Sequence, residues 1–366
     1  MTQTKRVKPN KRLQTVGDYE RAARESLSKI AYDYFRSGAD AERALRRNER
    51  AYRRLAIWYR VLVDVAERDL STNVLGFPIK TPIMLAPTAY HKLAHEDGEL
   101  ATARAAAVAG TIYVASTLAT TSLEDVAEAS SAPKWFQLYV HKDRDFTRSL
   151  VERAETAGYD ALVVTVDTPL LGRRVRDERN RFELPAGMVM ANLVDALANK
   201  PDDGSLLASY VAQRHDPSFT WSDLEWLRSL SHLPIVLKGI VRVDDAVRAS
   251  DAGMAGIIVS NHGGRQLDAA PATLDALPAI ADAVGDRTEV YLDGGIRWGG
   301  DVFKALALGA RAVLIGRPAL WGLAVAGEAG VVDVLRMLTD DLSRTMALAG
   351  TRTLADIERS MVARAE

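Results

Sequence analysis

From residue 82 onward, short apolar and β-branched runs alternate with longer stretches whose apolar positions recur at helical spacing. The short runs predict eight buried strands, at residues 83–85, 112–115, 135–138, 161–166, 235–238, 256–260, 290–292 and 312–315. The longer stretches predict helices at residues 99–109, 146–157, 221–229, 244–252, 273–283 and 301–308. Such alternation is typical of parallel strands joined by right-handed crossovers, and eight such units close into an α/β barrel of the (β/α)8, or TIM, type.

An open, doubly wound sheet is the alternative architecture for the same alternation. Sheets of that kind usually carry a G-x-G-x-x-G turn after an early strand. The sequence has no such turn, and this favours the barrel.

The segments outside the predicted barrel are mostly helical in pattern. The spacing of Leu27, Ile30, Ala31 and Tyr34 predicts one helix from residue 16 that ends near residue 37, and a second helix follows from about residue 41 to 52. We therefore expect a single domain over residues 1–366. It has an N-terminal helical cap (1–80), the barrel (81–320) and C-terminal helices (321–366), the last of them at 331–348.

One interval breaks the rhythm of strands and helices. About fifty residues separate the fourth predicted strand from Trp221. Long excursions in a compact domain are commonly lids. We therefore expect a long lid loop after strand 4, over about residues 184–220, that hangs over the catalytic face of the barrel.

Composition limits the classes of function. The 366 residues are 48% hydrophobic and carry a formal net charge of −1, which predicts a large core and no basic excess that would attract nucleic acid or anionic lipid. We expect a cytoplasmic protein with no membrane partner, because no apolar run has the length of a membrane span and the basic start lacks a signal-like apolar segment. The chain has no cysteine, so disulfides, thiolate catalysis and cysteine-ligated metals are excluded.

Several candidate catalytic residues lie between Ser260 and Asp268, at the end of the sixth predicted strand. His262 can accept a proton, the two glycines that follow allow a tight turn, and Arg265 can hold a carboxylate in a bidentate fork. The pattern favours proton abstraction beside an anionic substrate. A surface turn with an incidental histidine and arginine is the alternative.

Polar residues, with some small ones between them, also follow the other predicted strands, at the end of the barrel where function is usually found. They are Pro87, Thr88, Ala89, Ser116, Gln137, Tyr139, Thr165, Asp167, Lys238, Ser260, Asp293, Gly294, Gly316 and Arg317. The turns after the last two strands, at 293–297 and 316–317, are rich in glycine and arginine, which favours a phosphate site. Two ordinary glycine-rich turns with solvent-facing arginines are the alternative.

Several motifs together resemble the FMN-dependent 2-hydroxy acid oxidase and dehydrogenase family, which includes glycolate oxidase, lactate oxidase and mandelate-oxidising enzymes. Besides Ser260 to Asp268 they are, in the family's order, Tyr32-Asp33-Tyr34, Ala86-Pro87-Thr88-Ala89, Gln137-Leu138-Tyr139, Thr165-Val166-Asp167-Thr168-Pro169, Gly172-Arg173-Arg174, Leu237-Lys238-Gly239, Asp293-Gly294-Gly295-Ile296-Arg297 and Ile315-Gly316-Arg317-Pro318. The resemblance runs from near the first helix almost to the C-terminus.

The resemblance implies FMN as the cofactor and assigns a set of residues to it. These are Pro87, Thr88, Ala89, Ser116, Gln137, Thr165, Lys238, Ser260, Asp293, Gly294, Gly295, Arg297, Gly316 and Arg317. Ala89, Ser116, Gln137 and Thr165 would meet the isoalloxazine ring or its side chain. Lys238 would lie beside the N1–C2 carbonyl edge, where a cation stabilises the charge of the reduced flavin.

The same resemblance assigns the substrate site. Arg174 and Arg265 would bind the carboxylate of a 2-hydroxy acid, with Tyr34 and Tyr139 hydrogen-bonded to its carboxylate or hydroxyl. His262 would be the catalytic base and Asp167 would stabilise the imidazolium it becomes. The sequence leaves open whether the proton comes from the α-carbon or from the hydroxyl with hydride transfer.

Two departures from the glycolate oxidase pattern concern substrate size. Leu118 stands where glycolate oxidase has a tryptophan, and Tyr90 stands where it has a methionine. These changes favour hydroxy acids larger than glycolate, aliphatic or mandelate-like, with Leu118 and Tyr90 in contact with the substrate. Neutral repacking is the alternative.

The remaining residues of interest receive non-catalytic interpretations. Arg173 is expected to be structural or solvent-facing. His91 and His95 have helical i, i+4 spacing but lack the glutamate between them that a zinc motif needs, so we expect no metal site. The other histidines are expected at the surface or in loops: His141, His215 and His232.

The resemblance implies oxidation of an (S)-2-hydroxy acid to the 2-oxo acid by FMN, with O2 as the acceptor and hydrogen peroxide as product. A dehydrogenase that uses a quinone or protein acceptor is the alternative within the class. Two interpretations from other classes are a phosphate-binding isomerase or lyase without flavin and a barrel that keeps FMN as a structural module. The family resemblance also suggests a homotetramer.

Overall fold

Eight parallel strands close into a barrel in the computed structural model of the chain, which describes residues 13–194 and 214–365. The described strands, in chain order, are β1 (Leu55–Ile57), β2 (Thr72–Val74), β3 (Phe77–Ile79), β4 (Ile83–Leu85), β5 (Tyr113–Ser116), β6 (Lys134–Leu138), β7 (Ala161–Thr165), β8 (Ile235–Ile240), β9 (Gly256–Val259), β10 (Glu289–Asp293), β11 (Ala312–Ile315) and β12 (Val362–Arg364). The barrel runs from β4 to β11 in chain order and closes by pairing β11 with β4. The predicted (β/α)8 fold is confirmed.

Helices cover the barrel and its ends. The described helices are α1 (Val16–Ser26), α2 (Lys29–Arg36), α3 (Arg43–Arg53), α4 (Gly98–Ala109), α5 (Leu123–Glu128), α6 (Arg144–Thr156), α7 (Val175–Asn180), α8 (Leu224–Arg228), α9 (Val243–Asp251), α10 (Thr273–Val284), α11 (Gly299–Ala307) and α12 (Arg317–Ala349). The barrel helices predicted from periodicity agree with these bounds to within a few residues. The short helices α5 and α7 were not predicted, since each spans too few residues to display a period.

The barrel strands are mostly apolar because each strand is buried on both faces. Alternate side chains point into the barrel, where Met84, Val163 and Ile258 belong to one interior cluster. Their neighbours along the strands, such as Leu162 and Ile257, pack against the helices in the larger outer core. The polar residues are therefore left at the strand ends.

A hairpin closes the N-terminal end of the barrel. Strands β2 and β3 pair antiparallel around Leu75 and Gly76, and Val74 and Ile79 join the interior cluster. The predicted all-helical cap over residues 1–80 is therefore incomplete. The hairpin strands have three residues each, too few for alternation to reveal.

The single helix predicted from residue 16 to near 37 is wrong. Leu27 is extended (φ −82°, ψ 152°), and Ser28 caps α2 by accepting a hydrogen bond from the Ala31 N–H at 3.1 Å. A serine side chain that caps a new helix competes with continuation of the old one.

The C-terminal region is also only partly helical. α12 begins at Arg317 and is interrupted at Ala326 and Gly327, where Gly327 has φ 59° and ψ −137°. After Ala349 the chain ends in β12, which pairs antiparallel with β1. This pairing joins residues about 300 apart, so no local pattern could predict it.

By length and composition alone, α12 would be long and apolar enough to cross a membrane, although Glu328 and Asp333 interrupt its apolar run. In the structure 61% of the helix's apolar 18-residue stretch is buried. The helix contacts α1, α4 and α11, so its apolar character matches a core position.

Residues 195–213 of the predicted lid lie outside the described residues. Before that gap, Ala191 N–H donates to Ala119 O at 2.9 Å, and the Asn192 side chain accepts from Leu123 N–H at 2.8 Å. After the gap, Lys142 N–H donates to Arg214 O at 2.8 Å. Both described ends are therefore attached to loops near the C-terminal ends of the barrel strands.

Candidate active site

The strand C-termini surround one cavity of about 1120 Å³, its open mouth included. The predicted site residues that line it are Tyr34, Pro87, Thr88, Ala89, Ser116, Leu118, Gln137, Tyr139, Thr165, Arg174, Lys238, His262, Arg265, Asp293, Gly294, Gly295, Arg297, Gly316 and Arg317. The structure thus brings together side chains that lie as far as 283 positions apart along the sequence. Concave sites with a few convergent polar groups are typical of ligand binding.

The turn that carries His262 is held by helix α3. Asn261 and Asn48 exchange two amide hydrogen bonds of 2.8 Å. A side chain at Gly264, which has φ 75°, would meet the Leu45 backbone at 2.4 Å, so only glycine fits there. The motif and the N-terminal cap therefore pack directly against each other.

The last residue of the motif also stabilises α3. Asp268 accepts hydrogen bonds from Ala44 N–H at 3.0 Å and Ala41 N–H at 3.2 Å. A carboxylate at a helix N-terminus satisfies free N–H groups and matches the helix dipole. Since Glu42 makes no side-chain cap of its own, Asp268 supplies the cap from 224 positions away.

His262 and Asp167 form a partly buried pair, with Nδ1 of the imidazole 2.9 Å from Oδ1 of the carboxylate. Burial would raise the pKa of Asp167, but His262 and Lys238 hold that pKa below its usual value. An ionised carboxylate only accepts hydrogen bonds, so Nδ1 carries the proton and Nε2 has a free lone pair. Asp167 lies behind His262, outside the cavity lining.

The imidazole is set to be neutral. Burial lowers the pKa of His262, and the attraction of Asp167 offsets that effect only in part, because Lys238 and Arg174 lower the pKa further. At neutral pH the group is therefore a free base.

Lys238 keeps its charge although it is buried. Its Nζ lies 3.0 Å from Ser260 Oγ and 3.2 Å from Asp293 Oδ2, and Ser260 Oγ donates to the same Asp293 oxygen at 2.9 Å. Burial lowers the pKa of Lys238, but Asp293 and Asp167 raise it on balance above its ordinary value. Ser260 lies behind the cavity wall and orients the lysine.

Two arginines lie at the substrate side of the cavity. Arg265 Nη1 donates to the backbone oxygens of Tyr34 at 2.7 Å and Ser37 at 2.8 Å, and its guanidinium lies 5.1 Å from the centre of the Tyr34 ring. Burial and Arg174 lower the pKa of Arg265 to about 10. The Arg174 Nε is buried with no hydrogen-bond partner among the described residues. Both cations are suited to bind an anion.

Two phenols face these arginines. Burial raises the pKa of both Tyr34 and Tyr139. Each therefore stays protonated and can donate a hydrogen bond at neutral pH.

A second group of arginines fits a phosphate. The Arg317 guanidinium is held by the carbonyl oxygens of Ser37 at 2.8 Å and Gly263 at 3.1 Å. Burial, with Arg265, Arg297 and Arg36 nearby, lowers its pKa well below the usual value, and Glu49 opposes this only weakly. Such a surplus of buried positive charge is stabilised by an anionic ligand.

These features fit FMN. The arginine group suits its phosphate, and Lys238 and Gln137 present N–H donors to the same cavity. Gln137 is fixed by Thr165 Oγ1, which accepts from Nε2 at 3.0 Å, and by Thr117 N–H, which donates to Oε1 at 3.2 Å. A planar ring with carbonyl and ring-nitrogen acceptors matches these donors.

Tyr90 does not occupy the predicted substrate position. It is fully buried outside the cavity lining, with its ring 5.4 Å from that of Tyr34 and its hydroxyl 3.4 Å from Met190 Sδ. Its left-handed backbone (φ 63°) lies in the turn just before a 3-10 helix. Tyr90 therefore supports Tyr34 from behind, whereas Leu118 does line the cavity.

His141 and His215 lie in loops, which fits one alternative of the prediction, but the surface placement is wrong for both. Their exposed fractions are 1% and 2%, and burial lowers their pKa to about 3 and about 4 respectively. The His215 ring stacks on Tyr139 with centroids 4.4 Å apart and lines the cavity. Residues 214–216 reach this place by pairing with residues 140–142, which no local motif indicates.

The exposure predicted for Arg173 and His232 agrees with the structure. Arg173 is exposed and pairs with Glu178 at 3.1 Å, and His232 is exposed. His91 is buried, with Nε2 2.6 Å from Thr88 Oγ1 and Nδ1 2.9 Å from Thr102 Oγ1. Within residues 13–194 and 214–365, no group of three or more histidines and carboxylates could hold a metal ion.

Sequence reasoning missed other lining residues. They are Phe35, Ala86, Thr168, Leu171, Gly263, Ile296, Leu314, Ile315, Pro318 and Leu320. Most are apolar and adjoin a predicted residue, so adjacency to a motif was the available signal.

The barrel and its cavity define the class of protein: a flavin-dependent oxidoreductase that acts on an anionic substrate. The model of the family described as FMN-dependent dehydrogenase matches residues 23–364, and the chain belongs to that family. The predicted resemblance and the predicted FMN cofactor are confirmed.

Relatives and solved structures agree with this membership. The chain is 54% identical to an L-lactate oxidase of Nostoc sp. over 353 residues, which are 94% of this chain and 96% of the relative. It is 51% identical to 2-hydroxyacid oxidase 1 of Homo sapiens over 357 residues, 96% of both chains. A crystal structure of mandelate oxidase with (S)-4-hydroxymandelic acid superposes with a TM-score of 0.91 at 43% identity, covering 94% of this chain and 98% of the other.

We expect Arg317→Met to weaken FMN binding. Loss of one charged hydrogen-bonding group costs about 1.5–3 kcal/mol, which corresponds to a rise in Kd of roughly 10- to 100-fold. Fluorescence of FMN released on dilution of the holoprotein measures this Kd. Arg173→Met, which removes an exposed arginine, should leave it unchanged, and equal release from both variants would contradict the phosphate assignment.

Proposed function

We propose that this chain oxidises (S)-2-hydroxy acids to 2-oxo acids with bound FMN and passes the electrons to O2, giving hydrogen peroxide. The observation that carries the proposal is the neutral imidazole of His262, which is paired with the Asp167 carboxylate behind it and shares one cavity with the cations Arg174, Arg265 and Lys238. The names of the relatives, L-lactate oxidase and 2-hydroxyacid oxidase among them, support this substrate class and an oxidase reaction.

The charge of each site residue decides its role toward the substrate or the flavin. Arg174 and Arg265 bind the substrate carboxylate, and the Tyr139 and Tyr34 hydroxyls donate hydrogen bonds to the carboxylate or the hydroxyl of the substrate. When bound, FMN supplies the two-electron acceptor. Lys238, still protonated, places positive charge where negative charge develops.

His262 removes the proton. Its Nε2 accepts the proton while Nδ1–H donates to Asp167. The imidazole is neutral before this step and cationic after it, and Asp167 stabilises the cation at 2.9 Å. The pair therefore favours the state that follows proton abstraction.

The substrate is proposed to be larger than glycolate. Leu118 supports this, because it lines the cavity and has less bulk than the tryptophan of the glycolate oxidase pattern. Tyr90 gives no such support, since it lies outside the lining.

The proposal includes self-association, as a homotetramer. A surface segment formed by Trp58, Tyr59, Val61 and Leu62 has exposed fractions of 66–104%. Arg60 N–H donates to Ala349 O at 3.0 Å, which places the segment beside the exposed Leu348. Contiguous exposed apolar patches commonly mark protein interfaces. A cytoplasmic location is proposed on composition alone.

The function is tested by anaerobic addition of L-lactate or (S)-mandelate to the holoprotein. The wild-type flavin should bleach, and admission of air should produce peroxide. His262→Ala should keep its flavin but reduce it at least about 10²-fold more slowly, because general-base catalysis contributes 10²–10⁴-fold. Bleaching of His262→Ala at the wild-type rate would remove His262 from this role. If the reduced flavin passes electrons to an added acceptor dye but forms no peroxide in air, the electron acceptor is not O2.

Asp167→Asn should change both the rate and its pH dependence. In the wild type, flavin reduction falls as pH drops through the lowered pKa of His262, because protonation removes the base. Asp167 raises that pKa, so in Asp167→Asn the acid limb should move to lower pH while the plateau falls about 10²–10⁴-fold. Stopped-flow reduction from pH 4.5 to 8 gives both quantities. An unchanged limb and plateau would exclude the pairing.

Leu62→Asp combined with Trp58→Ser should reduce the oligomeric state. Burying an aspartate at an interface without a partner is costly, so sedimentation should report smaller species than the wild type. Val108→Asp is the matched control, since Val108 is 61% exposed but lies on α4. A monomeric wild type, or identical species in all three proteins, would contradict the proposed interface.

A further inference from the structure

A second cavity adjoins the active site. It holds about 1100 Å³, its open mouth included, beside the C-terminal ends of β7 and β8. Four residues line both cavities: Tyr139, Thr165, Thr168 and His215. These side chains are therefore the wall between the two spaces.

His215 spans this wall from one loop to the next. Its ring stacks on Tyr139, just beyond β6, with an interplanar angle of 29°. It also forms a hydrogen bond with the Thr168 backbone, just beyond β7. The gap between two neighbouring loops is thus closed by one imidazole ring.

The backbone holds that ring in place. Lys142 N–H donates to Arg214 O at 2.8 Å, and Asp216 N–H donates to Val140 O at 3.1 Å. The Asp216 carboxylate is paired with Arg144 at 2.6 Å. Anchors on both sides of His215 make it a fixed partition.

The second cavity suits an apolar group. Its walls include Val166, Phe219, Trp221, Leu224 and Leu237. Such a lining favours an alkyl or aryl tail through the hydrophobic effect. The carboxylates of Asp216 and Asp245 also border the cavity, and its described lining includes no lysine or arginine that could bind a substrate carboxylate.

The active cavity directs a substrate's tail toward this partition. Arg174 and Arg265 occupy the side suited to the carboxylate, and His262 occupies the side suited to the reacting carbon. The apolar lining of this cavity includes Leu118 and Leu171, and the His215 ring belongs to the same lining. Because burial lowers the pKa of His215 to about 4, the ring is an uncharged wall at neutral pH.

We infer that His215 is a specificity-determining residue that limits the length of the substrate's side chain, and that the cavity behind it accepts the tails of longer 2-hydroxy acids once the ring is removed. This inference rests on the proposed function. It adds to that function a size limit set by a residue outside every motif.

The test compares the holoenzymes of wild type, His215→Ala and His215→Phe with straight-chain (S)-2-hydroxy acids from three to eight carbons. In the wild type, kcat/KM relative to L-lactate should fall beyond a limiting length. In His215→Ala it should go on rising by about fourfold per methylene, the value of about 0.8 kcal/mol of burial. The gain should appear in KM, with kcat nearly constant along the series. His215→Phe, which keeps a ring, should follow the wild-type profile.

A binding measurement separates this inference from the proposed function. Straight-chain alkanoates lack the reacting hydroxyl, and their Kd follows from changes in the flavin spectrum. Their Kd should show the same length limit in the wild type and lose it in His215→Ala. If no 2-hydroxy acid reduces the flavin, the proposed function fails, while the alkanoate series still decides the role of His215.

A double variant locates the tail. In the double variant His215→Ala/Leu224→Trp, the tryptophan fills the second cavity and should cancel the gain in kcat/KM that His215→Ala gives for long acids. Equal length profiles in wild type and His215→Ala would overturn the inference, as would a gain that Leu224→Trp leaves intact. Loss of flavin in both His215→Ala and His215→Ser, but not in His215→Phe, would show that the ring is needed for folding and would also overturn it.

Discussion

The burial of more positive than negative charge at one end of the barrel is the constraint on which this site depends. Arg174 is buried, Arg265 and Arg317 are half-buried, and the guanidinium groups of Arg265 and Arg317 donate hydrogen bonds to backbone carbonyls. Carbonyl dipoles hold a guanidinium in place without neutralising it. Anionic ligands relieve this imbalance, so the same feature that costs folding free energy provides affinity for a phosphate and a carboxylate.

The same burial has opposite outcomes for the two groups nearest the chemistry, because their charged neighbours differ. Removal from water lowers the pKa of both His262 and Lys238. For Lys238, two carboxylates reverse the effect and the ammonium stays charged. For His262, one carboxylate does not, and the imidazole stays neutral. A base and a cation can therefore lie in one cavity at the same pH.

Much of this arrangement could be predicted from the sequence, because it depends on local patterns. The barrel strands can be recognised in the sequence as short apolar runs. The motifs at their ends place His262, Lys238 and Arg317 in one cavity. The strand pair β1–β12 could not be predicted, since three-residue strands carry no period and pair across most of the chain. Tyr90 was misplaced because alignment to a motif gives a position and not the direction of a side chain. His215 was missed because its location follows from pairing with residues 140–142 across the predicted lid. The break at Ser28 had a readable signal, a serine that can cap a helix.

The mutual support between Asp268 and α3 has a consequence for how the chain can be divided. The carboxylate caps the helix, and Asn48 on that helix holds the catalytic turn through Asn261. A boundary drawn at the first barrel strand would leave all eight barrel strands intact. It would also separate the histidine turn from helix α3. The amide of Asn261 would lose Asn48, and the carboxylate of Asp268 would lose the N–H groups at the start of α3. The smallest autonomous unit of this enzyme is thus larger than its barrel, and any recombination of modules in this family would have to exchange α3 and the histidine turn as one piece.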